Sequence, residues 1–173
     1  MTTDLNSTLA HTIELARNFC ITVENASASQ QIEFTEEMLD LLPRLYIAFS
    51  TLDTELTDIM ADNEYLPQYL DQTYYDSIRR QLEMLYGADD TYLETFESDM
   101  KYSDTPIAAS ISEQITDIFQ DIYNCVCAIK ESEGMQTDLA LYICKENFDA
   151  YWSQKLCNVM RPLNHLRYTL EIP

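Results

Sequence analysis

The sequence predicts an all-α protein, an antiparallel bundle of four long helices with one or two short ones. Two observations on composition and one on pattern lead there. Only two glycines and five prolines occur in 173 residues, too few breakers for a turn-rich β protein. Apolar residues make up 46% of the chain, enough for a single domain over 1–173 with a substantial core. Those residues recur every three or four positions, the period of a helix face.

The elements follow in order. Leu5, Leu9, Ala16, Phe19, Cys20 and Val23 trace a first helix over 5–24, which Asp4 can cap. A small polar linker, residues 25–31, separates it from a second helix opening at Thr35-Glu36-Glu37, where acids suit the macrodipole. Its stripe is Met38, Leu42, Leu45, Phe49, Leu52 and Leu56, and Pro43 predicts a kink. Residues 57–72 read as an acidic, tyrosine-bearing connection. Thr73 then caps a shorter helix with Tyr75, Ile78, Leu82 and Leu85 on one face, and Gly87 sits where a terminal glycine belongs.

An acidic segment from Asp89 to Asp99 carries one short helix around Tyr92–Phe96. The fourth helix has two possible starts. Asp104-Thr105-Pro106 offers a cap and a first-turn proline, and Ser110-Ile111-Ser112-Glu113 offers a capping box. Ile107, Ile111, Ile115, Ile118, Ile122, Val126 and Ile129 form its stripe, and Gly134 ends it. The last helix runs from about Thr137 to Tyr168 on Leu141, Cys144, Phe148, Trp152, Leu156, Val159, Leu163 and Leu166, bent by Pro162.

Charge restricts function more than any motif does. The chain holds 30 acids against 10 bases, a net charge of −20. Residues 1–100 carry 20 acids and 4 bases, residues 101–173 carry 10 and 6. Such a surface repels nucleic acid and anionic membranes and suits a basic protein partner. No apolar run is long enough to span a bilayer. The first residues lack the basic and apolar regions of a secretion signal, so a cytoplasmic location is expected.

The five cysteines, Cys20, Cys125, Cys127, Cys144 and Cys157, match no zinc or redox spacing and are expected as buried or half-buried free thiols. No EF-hand, Walker, HExxH or GxSxG pattern is present. No cofactor is implied, and nothing marks an enzyme.

Two helices hold the remaining polar candidates. Glu113, Asp117 and Asp121 stand at i, i+4 and i+8 on the fourth helix, with Asp121 flanking the isoleucine stripe and Glu113 nearly opposite it. As a solvated face they need no function. As a ladder they could join a metal or ligand site. Lys145 and Lys155 lie about 40° either side of the centre of the last stripe, so each must reach water or find an acid. Asp117 and Asp121 are the natural partners, in a structural bridge or as part of a polar ligand pocket. Trp152, on the same stripe, reads first as core. The ligand-binding candidates are therefore Asp117, Asp121, Lys145, Lys155 and Trp152, with no catalytic or metal residue assigned.

The strings Asp99-Met100-Lys101-Tyr102-Ser103-Asp104-Thr105-Pro106, Ser110-Ile111-Ser112-Glu113 and Asp117-Ile118-Phe119-Gln120-Asp121 have a familiar form. So does Cys144-Lys145-Glu146-Asn147-Phe148-Asp149-Ala150-Tyr151-Trp152-Ser153-Gln154-Lys155-Leu156. Together they resemble a family of uncharacterised all-helical proteins from Bacteroides-type bacteria, the domain of unknown function 5063. The resemblance implies a helical bundle and a bacterial cytoplasm, and supplies no activity and no catalytic residue. The sequence therefore leads to two expectations. One is a non-enzymatic acidic bundle that binds another protein, a basic one in particular, through a negative face formed by residues 53–100. The other is a bundle that binds a small ligand or a divalent metal between its last two helices.

Overall fold

In the computed structural model the described residues are 2–52, 66–94, 102 and 104–170, the side chains of 2–6 excepted. Six helices and one hairpin account for most of them. They are α1 (Thr2–Glu24), α2 (Gln31–Ser50), α3 (Gln72–Tyr86), α4 (Ile111–Glu131), α5 (Thr137–Asn147) and α6 (Ser153–Leu170), with β1 (Thr91–Glu94) and β2 (Ile107–Ser110).

A single π turn, Phe148–Trp152, joins α5 to α6, so the expected long last helix is present but unevenly wound. α1 packs on α2 and α4, α6 also packs on α2 and α4, and α3 lies outside against α4. The pairings run antiparallel. Phe49 meets Trp152 while Asp40 shares a surface with Arg167, and Asp121 meets Asn147 while Asp117 meets Lys155.

The stripes read from the sequence supply the core. Phe19, Met38, Leu42, Leu45, Phe49, Ile115, Ile122, Trp152, Val159 and Leu163 are wholly buried, joined by Phe34 and Phe119 from outside those stripes. Phe49, Phe148 and Trp152 pack edge-on and stacked where α2 crosses the π turn. Proline does not stop either helix that contains it: α2 continues through Pro43 and α6 through Pro162.

Several boundaries differ from expectation. α2 begins at Gln31, capped by Gln30 and Glu33 in a reciprocal box. Thr35 is instead buried inside it, bonded to the Gln31 carbonyl. Asp71, rather than Thr73, caps α3 through the Tyr74 N–H at 2.8 Å. Gly87 ends α3 at φ 54°, a backbone state that glycine enters without strain.

The larger correction concerns 91–110. The expected helix around Tyr92–Phe96 gives way to β1 over Thr91–Glu94, Phe96 itself lying outside the described residues. The start at Asp104 gives way to β2. Thr91 pairs with Ser110 and Glu94 with Ile107, antiparallel. α4 then starts from the second candidate, Ser110, whose hydroxyl accepts the Glu113 N–H. Asp90 completes that cap from across the hairpin. Its carbonyl accepts the Ile111 N–H, and its buried carboxylate accepts the Ser112 N–H and both serine hydroxyls.

Candidate functional site

The polar residues converge on one side of α4. Asp117 and Asp121 sit one turn apart, and the last helix answers with Asn147, Tyr151 and Lys155, also spaced by one turn each. Antiparallel packing turns the two spacings into a ladder. Asn147 Nδ2 donates to Asp121 at 2.8 Å, Tyr151 Oη donates to Asp117 at 2.9 Å, and Lys155 Nζ lies 3.3 Å from Asp117. From α3, Tyr75 Oη donates to the other Asp117 oxygen at 2.6 Å. One carboxylate thus ties three helical segments together.

Electrostatics follow from that geometry. Burial, then the hydrogen bond to Asp117, pushes the Tyr75 phenol far up, so it remains a donor. Burial pulls Lys155 down, but Asp117 and Tyr151 more than reverse this and hold its ammonium charged. Lys155 also lies 5.2 Å from the Tyr151 ring centre, within cation–π range.

Asp121 is different. Burial raises its carboxyl to about 6, the Asn147 hydrogen bond pulls the other way, and neighbouring Asp117 pushes it up again.

A cavity of about 240 Å³ opens beside Asp121. Gln120, Asn124 and Cys125 of α4, Ala140, Ile143, Cys144 and Asn147 of α5, and Leu66, Pro67 and Gln68 complete its wall. Segment 66–70 is held over α4 by Asn124, whose Oδ1 accepts the N–H groups of Tyr69 at 2.8 Å and Leu70 at 3.0 Å.

The five candidates therefore separate. Asp117 and Lys155 form the expected bridge, and Asp121 lines the cavity. Lys145 turns away to Asp149, four residues on, and lies over the Phe148 ring. Trp152 is wholly buried, and its one donor, the indole N–H, is spent on the Cys144 carbonyl at 3.2 Å rather than on either carboxylate. Glu113 is exposed in the first turn of α4. Among the described residues no three His, Cys, Asp or Glu side chains are placed to hold a metal ion. The sequence reading misses Tyr75, Asn124, Asn147 and Tyr151 as site residues. The spacing 147, 151, 155 opposite 117 and 121 was the available signal for two of them.

Fold and site together define an all-α bundle whose α4 and final helix are joined by a carboxylate ladder, with a small polar cavity beside it. The chain belongs to the family described as domain of unknown function (DUF5063), which it matches over residues 3–169. It is similar to protein BF1032 from Bacteroides fragilis, known from a crystal structure, with 28% identity, 96% of each chain covered and a TM-score of 0.81. No curated protein matches it. Among the described residues no helix is long and apolar enough to cross a membrane.

Proposed function

We propose that this is a non-enzymatic binding protein whose acidic surface engages a basic protein. The observation that carries the reading is one face of α2. Glu33, Glu36, Glu37 and Asp40 are all exposed there at helical spacing, and among the described residues only Asp40 has an ion-pair partner, Arg44. Tyr46 and Ile47, 40% and 64% exposed, continue the same helix beyond Arg44. An acidic stripe beside exposed apolar groups gives long-range attraction first and apolar burial on contact. The stretch 53–65, where the sequence concentrates further acids, lies outside the described residues.

The test is capture from a bacterial lysate at low and high salt, with wild type beside Glu33→Gln/Glu36→Gln/Glu37→Gln. A basic protein held by wild type at low salt, released by salt and lost in the triple variant supports the reading. A partner indifferent to salt and to the three substitutions overturns it.

The cavity at Asp121 favours a second reading, a small-ligand site between α4 and α5. A half-buried carboxylate among side-chain amides is the composition of a specific polar pocket.

A further inference from the structure

We propose that the cavity beside Asp121 binds a small organic cation, a primary ammonium or guanidinium group carried on a short apolar chain. The proposal rests on the small-ligand reading and gives it a chemical class.

Lys155 is committed to Asp117 and Lys145 to Asp149, and among the described residues no Lys, Arg or His lines the cavity. Asp121 therefore stands partly buried without a counter-charge among the described residues. Its only hydrogen bond from the described side chains is the one Asn147 gives to Oδ1, which leaves Oδ2 to accept from a ligand.

The amides extend the acceptor set. Asn147 uses its Nδ2 on Asp121, so its Oδ1 is the atom left to accept. Gln68 and Gln120 also line the wall, and each carries an amide oxygen able to accept. An ammonium has three donors and no acceptor, and this wall supplies a carboxylate oxygen and amide oxygens in return.

Leu66, Pro67, Ala140, Ile143 and the two thiols give the remainder an apolar lining that suits an alkyl tail. A hard divalent cation asks for six or more oxygens around it, several of them carboxylates, and among the described residues one carboxylate, Asp121, lines the cavity. An anionic ligand would meet Asp121 with no base to offset it. The net charge of −20 also raises the local concentration of cations around the protein.

The experiment is a titration of isotope-labelled full-length protein with four probes of similar size: butylammonium, butylguanidinium, butyramide and butyrate. The readout is the side-chain amide signals of Gln120, Asn124 and Asn147. Saturable shifts with one or both cations, weakened at least tenfold by Asp121→Asn, are expected. That variant keeps an oxygen for Asn147, and an unchanged far-ultraviolet spectrum and cooperative melt verify its fold. Binding of a cation that Asp121→Asn leaves unchanged overturns the cation proposal. If butyramide or butyrate shifts these amides and the cations do not, the cation proposal falls and the small-ligand reading stands. If no probe moves them, both fall.

Discussion

Lys155 and Asp117 face each other across the junction of α4 and α6 at 3.3 Å, with side chains only 21% and 13% exposed. Two phenols, Tyr75 and Tyr151, bond the same carboxylate. A pair this sheltered is costly to break from one side, because the remaining charge keeps its desolvation without its partner. Lys145 and Asp149 form the contrasting case, one turn apart with Asp149 53% exposed, where water already screens the charge.

Asp117→Asn is therefore expected to cost about 2 kcal/mol and Lys155→Met about 1 kcal/mol, with a coupling of about 1 kcal/mol in the double-mutant cycle. Asp149→Asn should cost less than about 0.5 kcal/mol. Urea unfolding of the five proteins tests this. Additive single effects would show that the phenols, not the lysine, hold Asp117.

The Asp90 cap gives the second prediction. Its carboxylate accepts three hydrogen bonds at 2.7–2.9 Å from Ser110 and Ser112, and it is 8% exposed. Asp90→Ala strands a backbone N–H and two hydroxyls at the start of α4 and should cost about 3 kcal/mol. Ser112→Ala removes one donor and should cost about 1 kcal/mol. Hydrogen exchange should show the loss first in the opening turn of α4. Equal costs for the two variants would assign the cap to the backbone alone.

How much of this could be read from the sequence depends on the range of the interactions. The helices were legible because Phe19, Leu45, Ile118 and Val159 repeat at helical spacing whatever they pack against. The hairpin was not, because Pro106 after Asp104 imitates a helix start and Ile107 falls in step with the stripe of α4. Only pairing with 91–94 makes 107–110 a strand, and that pairing is tertiary.

At the site, opposite charges on neighbouring helices were enough to bring Lys155 to Asp117. Lys145 follows a shorter rule, taking the acid at i+4. The cavity itself needed segment 66–70 laid over Asn124, which no local pattern encodes.

The thiols give a third prediction. Cys20, Cys125 and Cys144 are buried, Cys127 is half-buried and Cys157 is exposed, the last against the expectation of shelter for all five. Burial pushes the Cys20 and Cys144 thiols well up, which keeps them protonated and slow to react. An aromatic disulfide reagent should therefore label Cys157 first and Cys127 more slowly. The other three should react only on unfolding, a sequence that peptide mapping resolves. Prompt labelling of Cys125 or Cys144 would mean that the cavity wall opens readily.

The last prediction concerns pH and Asp121. Its carboxyl sits at about 6 in the folded protein against 3.8 for an unperturbed aspartate, chiefly through burial. The folded state therefore binds the proton more tightly than the unfolded chain does. That advantage is complete below 3.8, where both states are protonated, and is lost as pH rises through 6, where the folded carboxyl must ionise in its half-buried place. Asp121→Asn stays neutral throughout. The stability of the variant relative to wild type should accordingly rise between about pH 4 and pH 7, by an amount on the order of 1–2 kcal/mol after allowance for residual exposure. Urea midpoints at five pH values test the sign. A flat difference would mean that Asp121 titrates as an ordinary surface acid. Saturating butylammonium offers a control within the same measurement. A cation on Asp121 supplies the missing counter-charge and lowers the folded carboxyl, so the rise with pH should shrink in its presence.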